Sequence, residues 1–122
     1  MKPLTEIDRK VFQSLIDDFC QDFVFDLVES YCSDTTQQVQ SLRQALTQND
    51  QKAFTRAAHS LKSTSMALGA LSFGSLAKEL EGLGRDGKFG DALEKCDALE
   101  KCDALAKACP ELHEKLRGLC GA

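Results

Sequence analysis

The sequence predicts an all-α protein, an antiparallel up-down four-helix bundle with a short additional N-terminal helix. Two observations predict this class. Apolar residues recur every three or four positions along most of the 122 residues, without long alternation between apolar and polar side chains. Helix breakers are sparse, because the two prolines are Pro3 and Pro110 and no glycine precedes Gly69. With 43% hydrophobic and 28% charged residues, the chain fits one domain over residues 1–122.

The N-terminal half is predicted to hold a short helix and a long one. The first is expected to begin near Thr5, with Ile7, Val11 and Leu15 on one stripe. The second is expected over residues 22–48, with apolar or small residues repeating at helical spacing on its inner face. These residues are Val24, Val28, Tyr31, Thr35, Val39, Leu42 and Leu46.

Three further helices are predicted in the rest of the chain. The third covers about residues 50–68, capped by Asp50 and stopped by Gly69. The fourth covers about residues 71–82, with Leu76 and Leu80 inward, and a glycine-rich loop follows over residues 82–90. The last runs from about residue 91 toward 118, with a possible kink at Pro110.

The last predicted helix contains a duplicated hexamer. Residues 91–96 and 97–102 both read Asp-Ala-Leu-Glu-Lys-Cys, and residues 103–108 follow with a diverged copy. A hexamer adds about 9 Å to a helix and turns it about 240° past a full turn. Successive copies are therefore expected to face different directions, which excludes a coiled-coil seam built on the repeat.

Charge and cysteine usage limit the cellular context. A net charge of −4 argues against a global electrostatic grip on nucleic acid or on anionic membranes. No stretch approaches the roughly 20 apolar residues of a membrane-spanning helix. The N-terminus turns acidic where a secretory signal would become apolar, so a cytoplasmic location is expected. The six cysteines form no C-x-x-C pair and are expected to be reduced and mostly buried.

A histidine among cations is the most suggestive chemical feature. On a helical wheel, the residues within about 60° of His59 are Lys52, Thr55, Arg56, Lys62, Ser63 and Met66. Neutral imidazole is nucleophilic near pH 7, and phosphoryl transfer requires positioning and nearby positive charge. An ordinary solvated helix face is the competing interpretation. The second histidine, His113, is expected to be an ordinary surface residue.

The segment around His59 resembles the signature of histidine-containing phosphotransfer (Hpt) domains of bacterial two-component phosphorelays. That pattern is roughly A-H-x-L-K-G-x-S-x-x-L-G-A, followed by a helix that ends L-E. The sequence matches it at Ala58, His59, Leu61, Lys62, Ser65, Leu68, Gly69 and Ala70, and then at Leu80-Glu81. It departs at Ser63, where glycine is commonest, although serine is also small.

The resemblance implies specific roles. His59 would accept a phosphoryl group at Nε2 from an aspartyl phosphate on a receiver domain and pass it to an aspartate of another receiver. Lys62 would stabilise the phosphoryl charge, Gly69 would stop the helix, and Arg56, Ser63 and Met66 would lie under the docked receiver. The receivers would belong to hybrid sensor kinases or response regulators. No metal or other cofactor is expected in this chain, because the Mg²⁺ of such relays belongs to the receiver, and a monomer is expected.

Three other functions compete with this one. A histidine kinase core that phosphorylates itself needs an ATP-binding domain, for which this chain has no room, so a phosphocarrier without autokinase activity is favoured. A metal site in the bundle core would place glutamate and histidine at i, i+3, whereas Lys62 stands there. A non-phosphorylated helical adaptor that binds a signalling partner through the His59 face stays open. Modification of His59 would discriminate between the adaptor and the phosphocarrier.

Overall fold

The computed structural model describes residues 3–87 and 91–120, and these residues form five helices and no strand. The helices are α1 (Arg9–Asp18), α2 (Gln21–Gln48), α3 (Gln51–Ala67), α4 (Leu71–Arg85) and α5 (Ala92–Leu119). Helices α2 to α5 pack as a four-helix bundle, in which α3 lies between α2 and α4 and α5 lies against α2 and α4. The predicted all-α class is confirmed. No helix within the described ranges is long and apolar enough to cross a membrane.

Helix α2 supplies one wall of the core, as its periodicity predicts. All seven residues predicted for its inner face are buried. The helix ends at Asn49, whose φ of 55° is left-handed, and the Asp50 side chain then accepts a hydrogen bond from the Ala53 amide at 3.1 Å. This turn and cap set the start of α3.

Helix α1 begins later than the sequence predicts. The expected start near Thr5 is wrong, because Asp8 is the N-cap and its carboxylate accepts hydrogen bonds from the Lys10 and Val11 amides at 3.0 and 3.2 Å. Thr5 itself is buried ahead of the helix. Phe12 is the α1 side chain that enters the core, whereas the predicted stripe of Ile7, Val11 and Leu15 is only half-buried.

Gly69 reverses the chain between α3 and α4. Its φ of +88° suits glycine, and the Gly69 and Ala70 amides donate to the carbonyls of Met66 and Ser65 at 3.1 and 2.9 Å. The Asp8 amide donates to the Gly69 carbonyl at 2.8 Å, which fastens the start of α1 to this turn. The predicted helix stop is present, and it returns α4 against α3.

Helices α3 and α4 approach closely because small residues line their interface. A Cβ on Gly74 would lie 2.7 Å from the Cγ of Met66, and one on Gly84 would lie 2.9 Å from Cδ1 of Phe54. Gly84 therefore belongs to the interior of α4, which continues to Arg85. The prediction of a loop starting at Gly82 is wrong for this stretch, and residues 88–90 lie outside the described residues.

Helix α5 buries one stripe that is offset from the repeat. Its buried stripe has three- and four-residue spacing and consists of Ala98, Cys102, Leu105, Cys109, Leu112 and Leu116. The repeated leucines differ accordingly, since Leu93 is 82% exposed, Leu99 is 45% exposed and Leu105 is fully buried. The copies face different directions, as their spacing predicts. Pro110 lies within α5 on its exposed side, and the helix continues past it.

The other histidine is not on the surface. His113 is 7% exposed, and its ring meets the ring of Tyr31 edge to face at a centroid distance of 6.0 Å. The surface assignment is wrong because His113 follows Cys109 by one helical turn, beside the buried stripe of α5. The six cysteines are all free, and Cys32, Cys102, Cys109 and Cys120 are buried.

Candidate functional site

His59 lies midway along α3 on its polar face. Its side chain is 59% exposed, and the adjacent Ala58 and Leu61 are buried beneath it. Because the buried side of α3 carries Phe54, Ala57 and Leu61, the helix is oriented by its apolar face, which turns the imidazole outward. The exposed position leaves the imidazole open to a large partner.

A carboxylate from α4 holds the imidazole. Oε2 of Glu81 lies 2.6 Å from Nδ1 of His59, and Oε1 of the same carboxylate accepts a hydrogen bond from Nζ of Lys62 at 2.9 Å. Glu81 thus joins the two residues that the sequence singled out for phosphoryl chemistry. One carboxylate bridges the imidazole and the ammonium group from the neighbouring helix.

The antiparallel register of α3 and α4 explains this contact. Met66 faces Gly74 near the Gly69 turn, and Thr55 faces Gly84 at the far end of the pair. His59 and Glu81 fall between these two contacts, at matching heights. Because neither glycine has a Cβ, the helices lie close enough for the carboxylate to reach the imidazole directly.

Glu81 is a buried charge with several partners. Its side chain is 8% exposed, and Arg85, one turn further along α4, places Nη2 3.5 Å from Oε1. The hydrogen bond from Lys62 holds the pKa of the Glu81 carboxyl below its usual value, and the hydrogen bond from His59 adds to this, against the raising effect of burial. Glu81 is therefore ionised at neutral pH.

The surrounding surface is rich in cations. Lys52 and Arg56 are exposed on the same face of α3 as His59, and Arg85 is 67% exposed on α4. Lys52, Arg56, His59 and Glu81 also line an open groove between the two helices. A dianionic phosphoryl group at the imidazole would meet positive charge from both helices.

The remaining predicted site residues differ in their placement. Ser63 is exposed one turn from His59, and its small side chain leaves the surface open. Met66 is half-buried, with its Cγ against Gly74, so it joins helix packing and has only an edge at the surface. Gly69 lies about 15 Å along the axis from His59, and its role is to form the turn between α3 and α4.

Two residues of the site escaped the sequence prediction of roles. The motif contains Glu81 without giving it a role, and the loop predicted over residues 82–90 contains Arg85. The sequence does hold a signal for Glu81, because residues about equally far before and after the Gly69 turn face each other when α3 and α4 are antiparallel. Arg85 can be placed near Glu81 by the same reasoning only once α4 is known to continue past Gly82.

The Glu81 contact determines what the imidazole can do. A carboxylate beside Nδ1 favours the tautomer that carries its proton on Nδ1 and donates it to Oε2. The lone pair of the neutral ring then lies on Nε2, the nitrogen that does not face Glu81. Among the described residues, no group of three His, Cys, Asp or Glu side chains could hold a metal ion.

The family model of the Hpt domain matches residues 26–119, more than half of the chain. The chain belongs to the Hpt family. Hpt domains are helical bundles that work with receiver domains in phosphorelays, so this chain has a phosphotransfer role. No curated protein and no solved structure matches the chain significantly.

The matched region relates to the observed site in a simple way. It includes all of α3, α4 and α5, with most of α2, and therefore contains His59, Lys62 and Glu81. Helix α1 lies before the matched region. The site is thus built entirely from the part of the chain that carries the family resemblance.

Proposed function

We propose that His59 is the phosphoacceptor of this Hpt domain, and that it receives the phosphoryl group at Nε2 from a receiver aspartyl phosphate and passes it to another receiver aspartate. The observation that carries the proposal is the 2.6 Å contact between Glu81 Oε2 and Nδ1 of His59. It favours the tautomer in which Nδ1 carries the proton and the Nε2 lone pair is available, on a side chain that is 59% exposed.

The transfer step balances without an added acid or base. The Nε2 lone pair of His59 attacks phosphorus, an N–P bond forms, and the P–O bond to the receiver aspartate breaks to release its carboxylate. The imidazole keeps its Nδ1 proton and becomes a positively charged phosphoimidazolium. Glu81 stabilises that positive charge through its hydrogen bond to Nδ1, and the same step in reverse delivers the phosphoryl group onward.

The cations act on the phosphoryl oxygens and on the partner. Lys62 is a flexible point charge one turn from His59, able to leave Glu81 for the phosphoryl group. Arg85 contacts the same oxygen of Glu81 at the longer distance of 3.5 Å and can neutralise Glu81 when Lys62 moves. Arg56, Ser63 and the edge of Met66 contact the receiver.

The partners proposed are receiver domains of hybrid sensor kinases or response regulators, and the domain acts as a cytoplasmic monomer. Six free cysteines suit a reducing compartment. The transfer needs no nucleotide, since the energy is carried by the acyl phosphate of the donor. This distinguishes a phosphocarrier from an autokinase.

The proposal is tested by mixing the protein with a phosphate-labelled receiver and measuring label on each variant. The parent protein is expected to take up label that is acid-labile and alkali-stable, as for a P–N bond. His59→Gln is expected to take up none, because an amide nitrogen is not nucleophilic. Its melting temperature is expected to change little, because exposed substitutions usually cost less than about 0.5 kcal/mol.

The second histidine supplies a matched control. His113→Gln changes the same residue type at a buried position away from the site and is expected to keep the label. Label on His59→Gln, or its loss from a folded His113→Gln, would mean that the wrong histidine was chosen. A parent protein that takes no label from any receiver but still binds one would favour the non-phosphorylated adaptor.

A further inference from the structure

His113 occupies an unusual position between α2 and α5. It is 7% exposed, and its Nε2 atom is a buried side-chain nitrogen without a hydrogen-bond partner in the part of the chain that the structure describes. The Tyr31 ring meets the imidazole at 6.0 Å with an interplanar angle of 81°. A buried nitrogen without a hydrogen-bond partner lowers the stability of the fold, so its presence calls for an explanation.

The charged groups around His113 offer no acceptor for an added proton. Glu29 on α2 and Arg117 on α5 act on His113 electrostatically, but their charges are already paired at 2.9 and 3.2 Å. The Tyr31 phenol is bound to Ser65, and the neighbouring thiols Cys32 and Cys109 carry no charge at neutral pH because burial raises their pKa. A protonated imidazole here would be a buried cation without a dedicated partner.

We propose that His113 makes the α2–α5 interface proton-sensitive: uptake of a proton by its buried imidazole loosens the packing of α5 against α2. Two features of the geometry support this. His113 Nε2 is buried without a hydrogen-bond partner among the described residues, on a ring that packs against Tyr31 of α2. The Glu29–Arg117 ion pair between the same two helices forms without His113. Proton uptake requires hydration of the nitrogen or movement of the ring, and either displaces the ring from Tyr31.

The effect reaches the helix that carries His59. The Tyr31 hydroxyl and the Ser65 hydroxyl share a buried hydrogen bond of 2.7 Å, which ties α2 to α3. Ser65 lies about 9 Å along α3 from His59. A displacement of Tyr31 is thus felt at the helix of the phosphotransfer site, and the device would couple cellular acidification to the stability of the domain.

The direction of the pH dependence follows from the environment. Burial lowers the pKa of His113 below its usual 6.5, and Arg117 adds to this while Glu29 opposes it. The unfolded chain therefore takes up a proton near pH 6.5, before the folded chain does. Stability from this group is complete above pH 6.5, declines as the pH falls below it, and stops declining below the lowered pKa. One proton changes the unfolding constant by at most about tenfold per pH unit.

The composition of the chain makes the test unusually clean. Tyr31 is the single tyrosine and there is no tryptophan, so intrinsic fluorescence reports the neighbour of His113 directly. We expect Tyr31 fluorescence and near-ultraviolet circular dichroism to titrate with a midpoint below pH 6.5. Urea unfolding between pH 7.5 and 5 should show the matching loss of stability.

The two histidines provide the paired variants. His113→Gln should abolish the Tyr31 titration. It should also abolish the part of the pH dependence of stability that His113 contributes, whereas His59→Gln should leave both of these effects unchanged. A Tyr31 signal that does not change with pH, or one that titrates equally in His113→Gln, would overturn the proposal. If His113→Gln does not fold, the imidazole proton resonances of the parent protein decide, with His59→Gln assigning them: a His113 midpoint at or above 6.5 refutes it.

Discussion

Oε2 of Glu81 on α4 lies 2.6 Å from Nδ1 of His59 on α3, and Oε1 of the same carboxylate lies 2.9 Å from Nζ of Lys62. A nearly buried carboxylate therefore orients an exposed imidazole and its neighbouring ammonium group together. Both groups lose freedom before any partner arrives. The packing of α4 against α3 therefore pre-organises the imidazole and the ammonium group for the reaction.

Glu81→Gln is expected to slow phosphotransfer by roughly tenfold to a hundredfold. The amide oxygen can still accept a hydrogen bond from Nδ1–H but no longer stabilises the imidazolium charge, and hydrogen bonds to charged groups contribute about 1.5–3 kcal/mol. Single-turnover transfer from a labelled receiver measures the rate. Glu79→Gln is the control, since Glu79 is an exposed glutamate on the same helix. Equal rates for both variants would show that Glu81 has only a structural role.

Lys62→Ala is expected to slow transfer without stopping it. The substitution removes one charge from the phosphoryl site and leaves the nucleophile, so a loss of about tenfold is expected, equivalent to about 1.4 kcal/mol. Lys62→Arg should retain more activity than Lys62→Ala because it keeps the charge. Complete loss of label in a folded Lys62→Ala would instead assign the essential role to this residue.

Particular residues show how much of the fold can be predicted from the sequence alone. Periodicity located the inner face of α2 from Val24 to Leu46, because a long helix averages over many positions. It failed at Gly82 and Gly84, since local preference treats glycine as a breaker, whereas close packing against Phe54 and Thr55 requires it at Gly84.

His113 shows the same limit from another direction. Charged neighbours such as Lys115 and Arg117 are typical of a surface position, whereas the position of His113 depends on which side of α5 carries the buried stripe. Glu81 could be placed only after the register of two helices was known. The positions of Gly84, His113 and Glu81 each depend on tertiary contacts, which a single sequence does not reveal.

Ser63→Trp is expected to block transfer while leaving the fold intact. Ser63 is exposed about 40° from His59 on the helical wheel, so a large ring there would obstruct a docked receiver. Ser63→Gly should transfer at nearly the parent rate. Thr64→Trp is the matched control, because Thr64 is exposed on a face turned about 140° from His59. A parent-like rate for Ser63→Trp would contradict the docking surface.

Two glycines of α4 should respond oppositely to alanine. A Cβ at Gly84 would contact Phe54 at 2.9 Å and also Oγ1 of Thr55, so Gly84→Ala should destabilise by about 1–3 kcal/mol through overpacking. Nothing lies within 4 Å of a Cβ at Gly82, so Gly82→Ala should stabilise by up to about 1 kcal/mol through helix propensity. Urea unfolding measures both. Similar shifts for the two variants would contradict the close approach of α3 and α4.

The duplicated hexamer permits a deletion that preserves the core. Because the copies are identical, removing residues 97–102 gives the same chain as removing residues 91–96, and the surviving copy supplies the alanine and cysteine that replace Ala98 and Cys102 in the buried stripe. Only the connection after α4 must span about 9 Å more. The free energy of unfolding should change by less than about 1 kcal/mol, and phosphotransfer should stay within about twofold of the parent rate.

A deletion of equal length outside the identical copies is the control for this prediction. Removing residues 104–109 places Leu99 where Leu105 was, but brings Asp103 into the buried position of Cys109. An unpaired carboxylate there should destabilise the fold by on the order of 3 kcal/mol. Thermal and urea unfolding of the two deletions compare them directly. Equal destabilisation would mean that helix length, and not the phase of the buried stripe, sets the stability of α5.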